Sequence, residues 1–226
     1  MRTFFLFYLL SWLLRNPLLA LVIVGVIFYF SEARYSGRYF NPTSFYTKRH
    51  AIGELRQTLT VNEHDAGARN DLGRLLADDA KFAEALPHME LAIKRMEESA
   101  ETNYYYGLCL LNTGDADGGE RFMKRSLEIS PRFLYGEPQV VLARHCLGAG
   151  RDDEALAWAR EAVKINTSSV EGWVLVGDAE RTAGRTDEAR AGYTAALEAY
   201  DHVPRYLRVA ARKPRAEAKR GLKSLG

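Results

Sequence analysis

The chain has 226 residues, 47% of them hydrophobic and 27% charged, with a formal net charge of +2. This balance excludes a disordered polyelectrolyte, and two cysteines exclude a small disulfide-framework protein. The near-neutral total hides an asymmetry: residues 1–50 carry six Lys/Arg against one Glu, residues 203–226 carry eight against one, and residues 51–202 carry 17 against 27, so an acidic body lies between basic ends.

Residues 3–30 are almost wholly apolar, in two runs (3–14 and 18–30) separated by Arg15, Asn16 and Pro17. One continuous helix over this stretch would measure about 42 Å, more than the roughly 30 Å hydrocarbon core of a bilayer. Either run alone is too short to cross. Asn16-Pro17 reads as a break, with Pro17 opening a second helix. Three arrangements follow. Residues 17–35 cross while 3–14 lie in the interface, the two halves form a hairpin in one leaflet, or a single kinked helix crosses with Arg15 snorkelling. The apolar stretch is too long for a cleaved signal peptide and is interrupted by Arg15. A membrane anchor is therefore expected over 1–34, broken at 15–17.

Arg34, Arg38, Lys48 and Arg49 follow the apolar stretch, whereas only Arg2 and the amino terminus precede it. The positive-inside rule then places the C-terminal part in the cytoplasm, on the inner face of the cell membrane. Residues 35–44 read as a turn-rich juxtamembrane linker, with Gly37 and Asn41-Pro42.

From residue 66 onward one pattern recurs. A small residue within a helical run is followed twelve positions later by another, as Gly73/Ala85, Gly107/Gly119, Ala143/Ala155 and Gly177/Ala189, with first anchors 34, 36 and 34 residues apart. Such a period marks helical pairs that cannot bury their apolar faces alone and must stack. Small residues let the two helices of a pair approach closely, and larger ones fill the space between pairs. Gly114, Gly150 and Gly184 fall where first helices should end, each followed by a residue able to cap the next helix. The first unit has Asp78-Asp79-Ala80 instead, the weakest of the turns. Residues 45–62 carry Ala51 and Leu55 one period before Ala85 and Met89, which predicts a half-repeat capping the array. The two extra residues before the third unit fall around 132–136 and should shift the superhelix locally. Residues 203–226 are expected to form a basic capping helix, interrupted near Pro214.

These units resemble the tetratricopeptide repeat (TPR) family over about residues 66–202. The family pattern is Trp-x2-Leu-Gly-x2-Tyr, then Ala-x3-Phe-x2-Ala, then Pro; here Trp173 alone fills the first position and Pro131 alone the last, while the small residues recur four times. The fold expected is an all-α, right-handed solenoid of about four units plus a half-repeat over 45–202, with an N-terminal membrane helix or broken helical hairpin.

The resemblance implies a ligand groove on first-helix positions 2, 5, 9 and 12, which here include Asn70, Arg74, Tyr104, Leu108, Leu111, Val140, Arg144, Leu147, Val174, Asp178 and Arg181. The competing reading packs Tyr104 and Leu108 between repeats. Relatives that clamp chaperone tails use a Lys/Asn/Lys/Arg set that this chain lacks. An apolar, aromatic groove edged by arginines suits a peptide with apolar anchors and some acidic groups.

Nothing in the sequence assembles a catalytic constellation: the five histidines lack metal-ligand spacing, and GxSxG, Walker, HExxH and GxGxxG motifs are absent. Asp152-Asp153-Glu154 and Asp187-Glu188 open second helices, where the helix dipole favours acids. Cys109 and Cys146 read as buried small hydrophobes. No cofactor or metal is implied. The basic tail, including Arg208, Arg212, Lys213, Arg215, Lys219 and Arg220, is a solvated cap, a contact with anionic lipid, or a nucleic-acid contact, the last disfavoured because Tyr206 is its one aromatic residue.

The function expected is a non-enzymatic scaffold at the membrane that recruits a protein or peptide partner on the cytoplasmic face, with residues 3–30 contacting lipid. Two alternatives stand beside it: an assembly factor facing the periplasm, and a structural accessory subunit of a membrane complex.

Overall fold

The computed structural model describes residues 42–226, together with Leu18, Leu19, Leu21, Ile23 and Val24, which are helical. Ten α-helices span the described C-terminal region: α1 Pro42–Val61, α2 Ala66–Asp78, α3 Phe82–Ile93, α4 Ala100–Thr113, α5 Ala116–Ile129, α6 Glu137–Gly148, α7 Asp152–Ile165, α8 Val170–Thr182, α9 Thr186–His202 and α10 Arg208–Ser224. Each successive pair from α2/α3 to α8/α9 packs antiparallel neighbours against each other, and α1 packs on α2. Among the described residues no helix is long and apolar enough to cross a membrane. The break at 15–17, residues 25–34 and most of the linker lie outside the described residues. Helix α1 begins at Pro42, inside the span read as linker.

Every predicted anchor of the four units sits in the core. Ala85, Ala143, Ala155 and Ala189 are at most 2% exposed, and the glycines mark the closest approaches. A Cβ on Gly107 would lie 2.9 Å from the Gly119 carbonyl oxygen and 3.0 Å from the Met123 nitrogen. Helix α1 packs on the first unit through Ile52, with Leu55 and Leu59 beside it, against Leu72, Leu76, Ala85 and Met89, while the expected anchor Ala51 is only partly buried.

Helix starts follow local chemistry. Asp65, Ser99, Asp115 and Ser169 each accept a hydrogen bond from the amide three residues on, at 2.9–3.2 Å. The expected cap at the α6–α7 turn is absent. Helix α7 already starts at Asp152, so the cap position falls to Arg151, which makes no side-chain cap bond, and Asp152, Asp153 and Glu154 act on the helix dipole instead.

The turns between helices of a pair reuse one left-handed residue: Gly114 at φ 106°, Gly150 at 73° and Gly184 at 76°. Ala80 occupies the same place in the first unit at φ 57°. An L-residue is disfavoured there by roughly 1–2 kcal/mol, although glycine gives back part of this through its freer unfolded chain. Ala80→Gly should therefore stabilise the array by about 1 kcal/mol, read as a higher urea midpoint at unchanged slope.

The two extra residues appear where the period slips. Phe133–Gly136 forms a 3₁₀ turn, in which Leu134 (φ 45°) and Tyr135 (φ 52°) are left-handed and Gly136 follows at 93°. Phe133 pins the turn against Tyr104, ring centroids 5.6 Å apart, and Gln139 Nε2 donates to the Pro131 carbonyl at 3.1 Å. Tyr135 is left 80% exposed.

Helix α10 corrects one expectation: it runs unbroken through Pro214. A proline inside a helix removes one backbone donor, and here Pro214 is buried with Ala218 on the packed side of the helix. Residues 42–202 and 213–226 form one compact unit, while 203–212 group apart from it. Within that short segment Arg208 Nε donates to the Val203 carbonyl at 2.9 Å.

Candidate partner-binding groove

First helices α2, α4, α6 and α8 supply the eleven residues expected to line a groove, and the structure divides them. Asn70, Tyr104, Val140 and Val174 are packed, at 2–5% exposure. Asn70 Oδ1 accepts from Thr102 Oγ1 at 2.9 Å, tying α2 to α4. Tyr104 stacks edge-on with Tyr105 at 5.0 Å and clusters with Met123, Leu127, Val141 and Leu142. Burial pushes its hydroxyl pKa upward. Tyr104 is thus a core residue, and its truncation would remove core packing.

The arginines are held by the array itself. Arg74 Nε lies 3.6 Å from Glu101, and Arg144 pairs with Glu171. Both pairs join a first helix to the start of the next one, at the same sequence separation. Arg181 Nε donates to the Tyr193 hydroxyl at 3.2 Å, and that hydroxyl donates to Asp178 at 2.6 Å. Burial, then the bond to Asp178, lifts the Tyr193 hydroxyl to about 12. These positions form inter-helix clasps rather than a row of free cations.

Two cavities involve these positions. Helix α2 packs on α4, and α6 on α8. Between α4 and α6, joined across the two-residue insertion, a cavity of about 410 Å³ opens, lined by Leu108, Leu111 and Asn112 on one side and Val141, Arg144, His145 and Gly148 on the other. Large side chains such as Tyr104 and Leu142 bridge the two helices beneath it. Leu111 is fixed by Gly119 of α5, whose missing side chain leaves room for the leucine: a Cβ there would lie 2.5 Å from Leu111 Cγ. Leu147 packs instead toward the α6–α8 core. The second cavity, about 440 Å³, gathers Asp178, Arg181 and Tyr193 with Glu217, Arg220 and Ser224 of α10.

Beside the first cavity lies a charge network that the sequence did not announce. Glu120 accepts from Arg151, at 3.3 Å for one of the two contacts, and from Lys124 at 3.2 Å, with His145 Nε2 3.4 Å away. The Arg151 hydrogen bond, and then Lys124, hold its carboxyl below the usual range against partial burial. Glu137, open to water yet surrounded by protein atoms, is shifted upward by desolvation and by Glu171, with Arg144 opposing. Glu180 is 1% exposed and clamped between Arg160 at 2.6 Å and Arg185.

Cys109 and Cys146 are free and buried, and burial pushes the Cys109 thiol up to about 12, which keeps it protonated and unreactive. Among the described residues no three His, Cys, Asp or Glu side chains are placed to hold a metal ion. In the tail, Arg215 stacks over the Tyr200 ring at 4.4 Å and Arg220 lies 4.0 Å from Glu217.

A tetratricopeptide repeat family model matches residues 70–132. No curated protein matches the sequence. Solved structures share the fold at low identity. The crystal structure of MamA protein superposes with a TM-score of 0.62 at 17% identity, covering 76% of this chain and 91% of that one. YrrB, a TPR protein with an unusual peptide-binding site, gives 0.55 at 18%, covering 76% and 90%. TTC0263, a thermophilic TPR protein in Thermus thermophilus, gives 0.58 at 18%, covering 78% and 93%. The TPR resemblance of the sequence is supported by the family match and by these folds, and the fold is that of a TPR solenoid.

Proposed function

We propose that the chain is a membrane-anchored TPR scaffold, without catalytic activity, whose array faces the cytoplasm and holds a protein or peptide partner in the α4–α6 cavity. The observation that carries this reading is the cavity itself: apolar Leu108, Leu111 and Val141 line an opening where the 3₁₀ insertion interrupts the regular stacking. With Arg144 held by Glu171, apolar anchors on the partner do more than acidic ones. That a TPR fold can hold a peptide is supported by YrrB and its peptide-binding site.

The membrane part of the proposal draws on the apolar stretch 3–30 and on Leu18, Leu19 and Leu21, which are 49–75% exposed. Orientation draws on the four cations from Arg34 to Arg49. A photo-crosslinking residue in place of Asn112, on the cavity rim, should capture one protein in cells, while the same residue in place of exposed Glu161 should not. Equal capture at both positions would remove the cavity assignment. A reporter fused to the C-terminus should be active only in the cytoplasm; periplasmic activity would reverse the orientation.

A further inference from the structure

Helix α10 sorts its residues by chemistry around its axis. At 3.6 residues per turn, all seven of its cations, from Arg208 to Lys223, fall within one arc of roughly 160°. Pro214, Ala218 and Gly221 lie on the other side. Pro214 and Ala218 are buried, and Gly221 sits so close to the Tyr193 ring that a Cβ would fall 2.4 Å from it. Arg208 is engaged by the Val203 carbonyl and Arg215 by the Tyr200 ring, and Arg220 lines the cavity beside Tyr193. Arg212, Lys213, Lys219 and Lys223 are exposed on the outward face.

That outward face is poorly suited to being a solvated cap. Its one acid, Glu217, stands at the edge of the arc, 4.0 Å from Arg220, and no acid occupies the first turn to complement the helix dipole. Arg208/Arg212, Arg215/Lys219 and Lys219/Lys223 place like charges four residues apart, an arrangement that weakens a helix. Among the described residues Arg212, Lys213, Lys219 and Lys223 have no acidic partner. Solubility alone is served better by interspersed signs. An anionic surface would relieve this repulsion.

The neighbouring apolar residues identify the kind of surface. Tyr206 is 66% exposed, Leu207 49% and Val209 44%, directly before or within the cationic arc. Cations flanking exposed aliphatic and aromatic side chains suit the headgroup layer of a bilayer, where charge meets phosphate and the apolar groups reach the acyl boundary. Single-stranded nucleic acid would call for several stacking rings, and Tyr206 stands alone.

We propose that the cationic face of α10, together with Tyr206, Leu207 and Val209, lies on the surface of an anionic lipid bilayer. This extends the membrane reading of residues 3–30 without depending on it, because the helix alone would draw the array to anionic lipid.

Hydrogen exchange on the full chain tests the proposal, with vesicles of phosphatidylcholine alone or mixed with phosphatidylglycerol. Backbone amides over 205–224 should exchange about tenfold more slowly on the mixed vesicles than on the neutral ones. High salt should abolish the difference, and so should the combined variant Arg212→Gln, Lys213→Gln, Lys219→Gln, Lys223→Gln. Equal exchange on both vesicles would overturn the proposal, as would stronger protection by single-stranded RNA than by the mixed vesicles. Flotation read in parallel keeps the two membrane claims apart. A chain that floats with neutral vesicles while 205–224 stays unprotected on the mixed ones retains the anchor and loses this contact. A chain that does not float with neutral vesicles, yet is protected on the mixed ones, does the reverse.

Discussion

Gly107→Val should cost the array about 4 kcal/mol, a large share of the 5–15 kcal/mol that separates folded from unfolded states in ordinary domains. The reason is what stands opposite. The added Cβ would meet backbone, the Gly119 carbonyl oxygen at 2.9 Å and the Met123 nitrogen at 3.0 Å, before either branch methyl is placed. Backbone within a helix cannot step aside the way a side chain can, so α4 and α5 must separate. Gly73 provides the contrast, because a Cβ there meets chiefly the flexible Met89 side chain, with Sδ at 2.4 Å. Gly73→Ala should cost about 1 kcal/mol, since methionine can change rotamer. Because each unit touches mainly its neighbours, opening the second pair also loosens its junctions with α3 and α6. Urea unfolding followed by circular dichroism reads both variants; a Gly107→Val midpoint equal to that of Gly73→Ala would show that the second pair is not closely approached.

The pairing of helices was legible because it rests on small residues at fixed spacing, and spacing is what a sequence displays. Gly107 and Gly119, or Ala143 and Ala155, signal close approach whatever surrounds them. The slip at 132–136 was legible for the same reason, although the left-handed Leu134 and Tyr135 were not: neither residue type favours that conformation. What faces open space was much harder to read. Asn70, Tyr104, Val140 and Val174 occupy first-helix positions of the kind that also hold Leu108, yet they are packed. The difference lies in depth, since Tyr104 packs with Met123, Val141 and Leu142 beneath the cavity that Leu108 lines, a tertiary property with no local signature. The Arg74–Glu101 and Arg144–Glu171 clasps could have been found from their common separation of 27 residues, a regularity hidden by reading each arginine as a ligand contact. Glu180 shows the converse limit. Its burial depends on Arg160 and Arg185 reaching it from α7 and the α8–α9 turn, and only the folded array brings them there.

Gly148→Trp should weaken partner binding about 100-fold while leaving the array as stable as before. Gly148 ends α6 on the rim of the α4–α6 cavity and is exposed, and a Cβ there meets nothing within 4 Å. The substitution therefore adds bulk at the opening without entering the core, and replacing a helical glycine favours the helix by about 0.5–1 kcal/mol. An indole lying across the cavity would compete with any apolar anchor seated on Leu108 and Leu111. Displacing one well-buried anchor costs on the order of 2–4 kcal/mol of binding free energy, which is where the 100-fold comes from. The companion change Arg144→Glu should cost less than tenfold, because Arg144 is already engaged by Glu171 and stands 52% exposed. This ordering separates two kinds of groove. An apolar site loses more to the indole than to the reversed charge, whereas a site built to read an acidic peptide would lose more to Arg144→Glu. Titration of the captured partner against both variants, with thermal unfolding as the control for folding, measures the difference. If Arg144→Glu proved the more damaging, the partner would be held chiefly by charge and the apolar anchor assignment would fall.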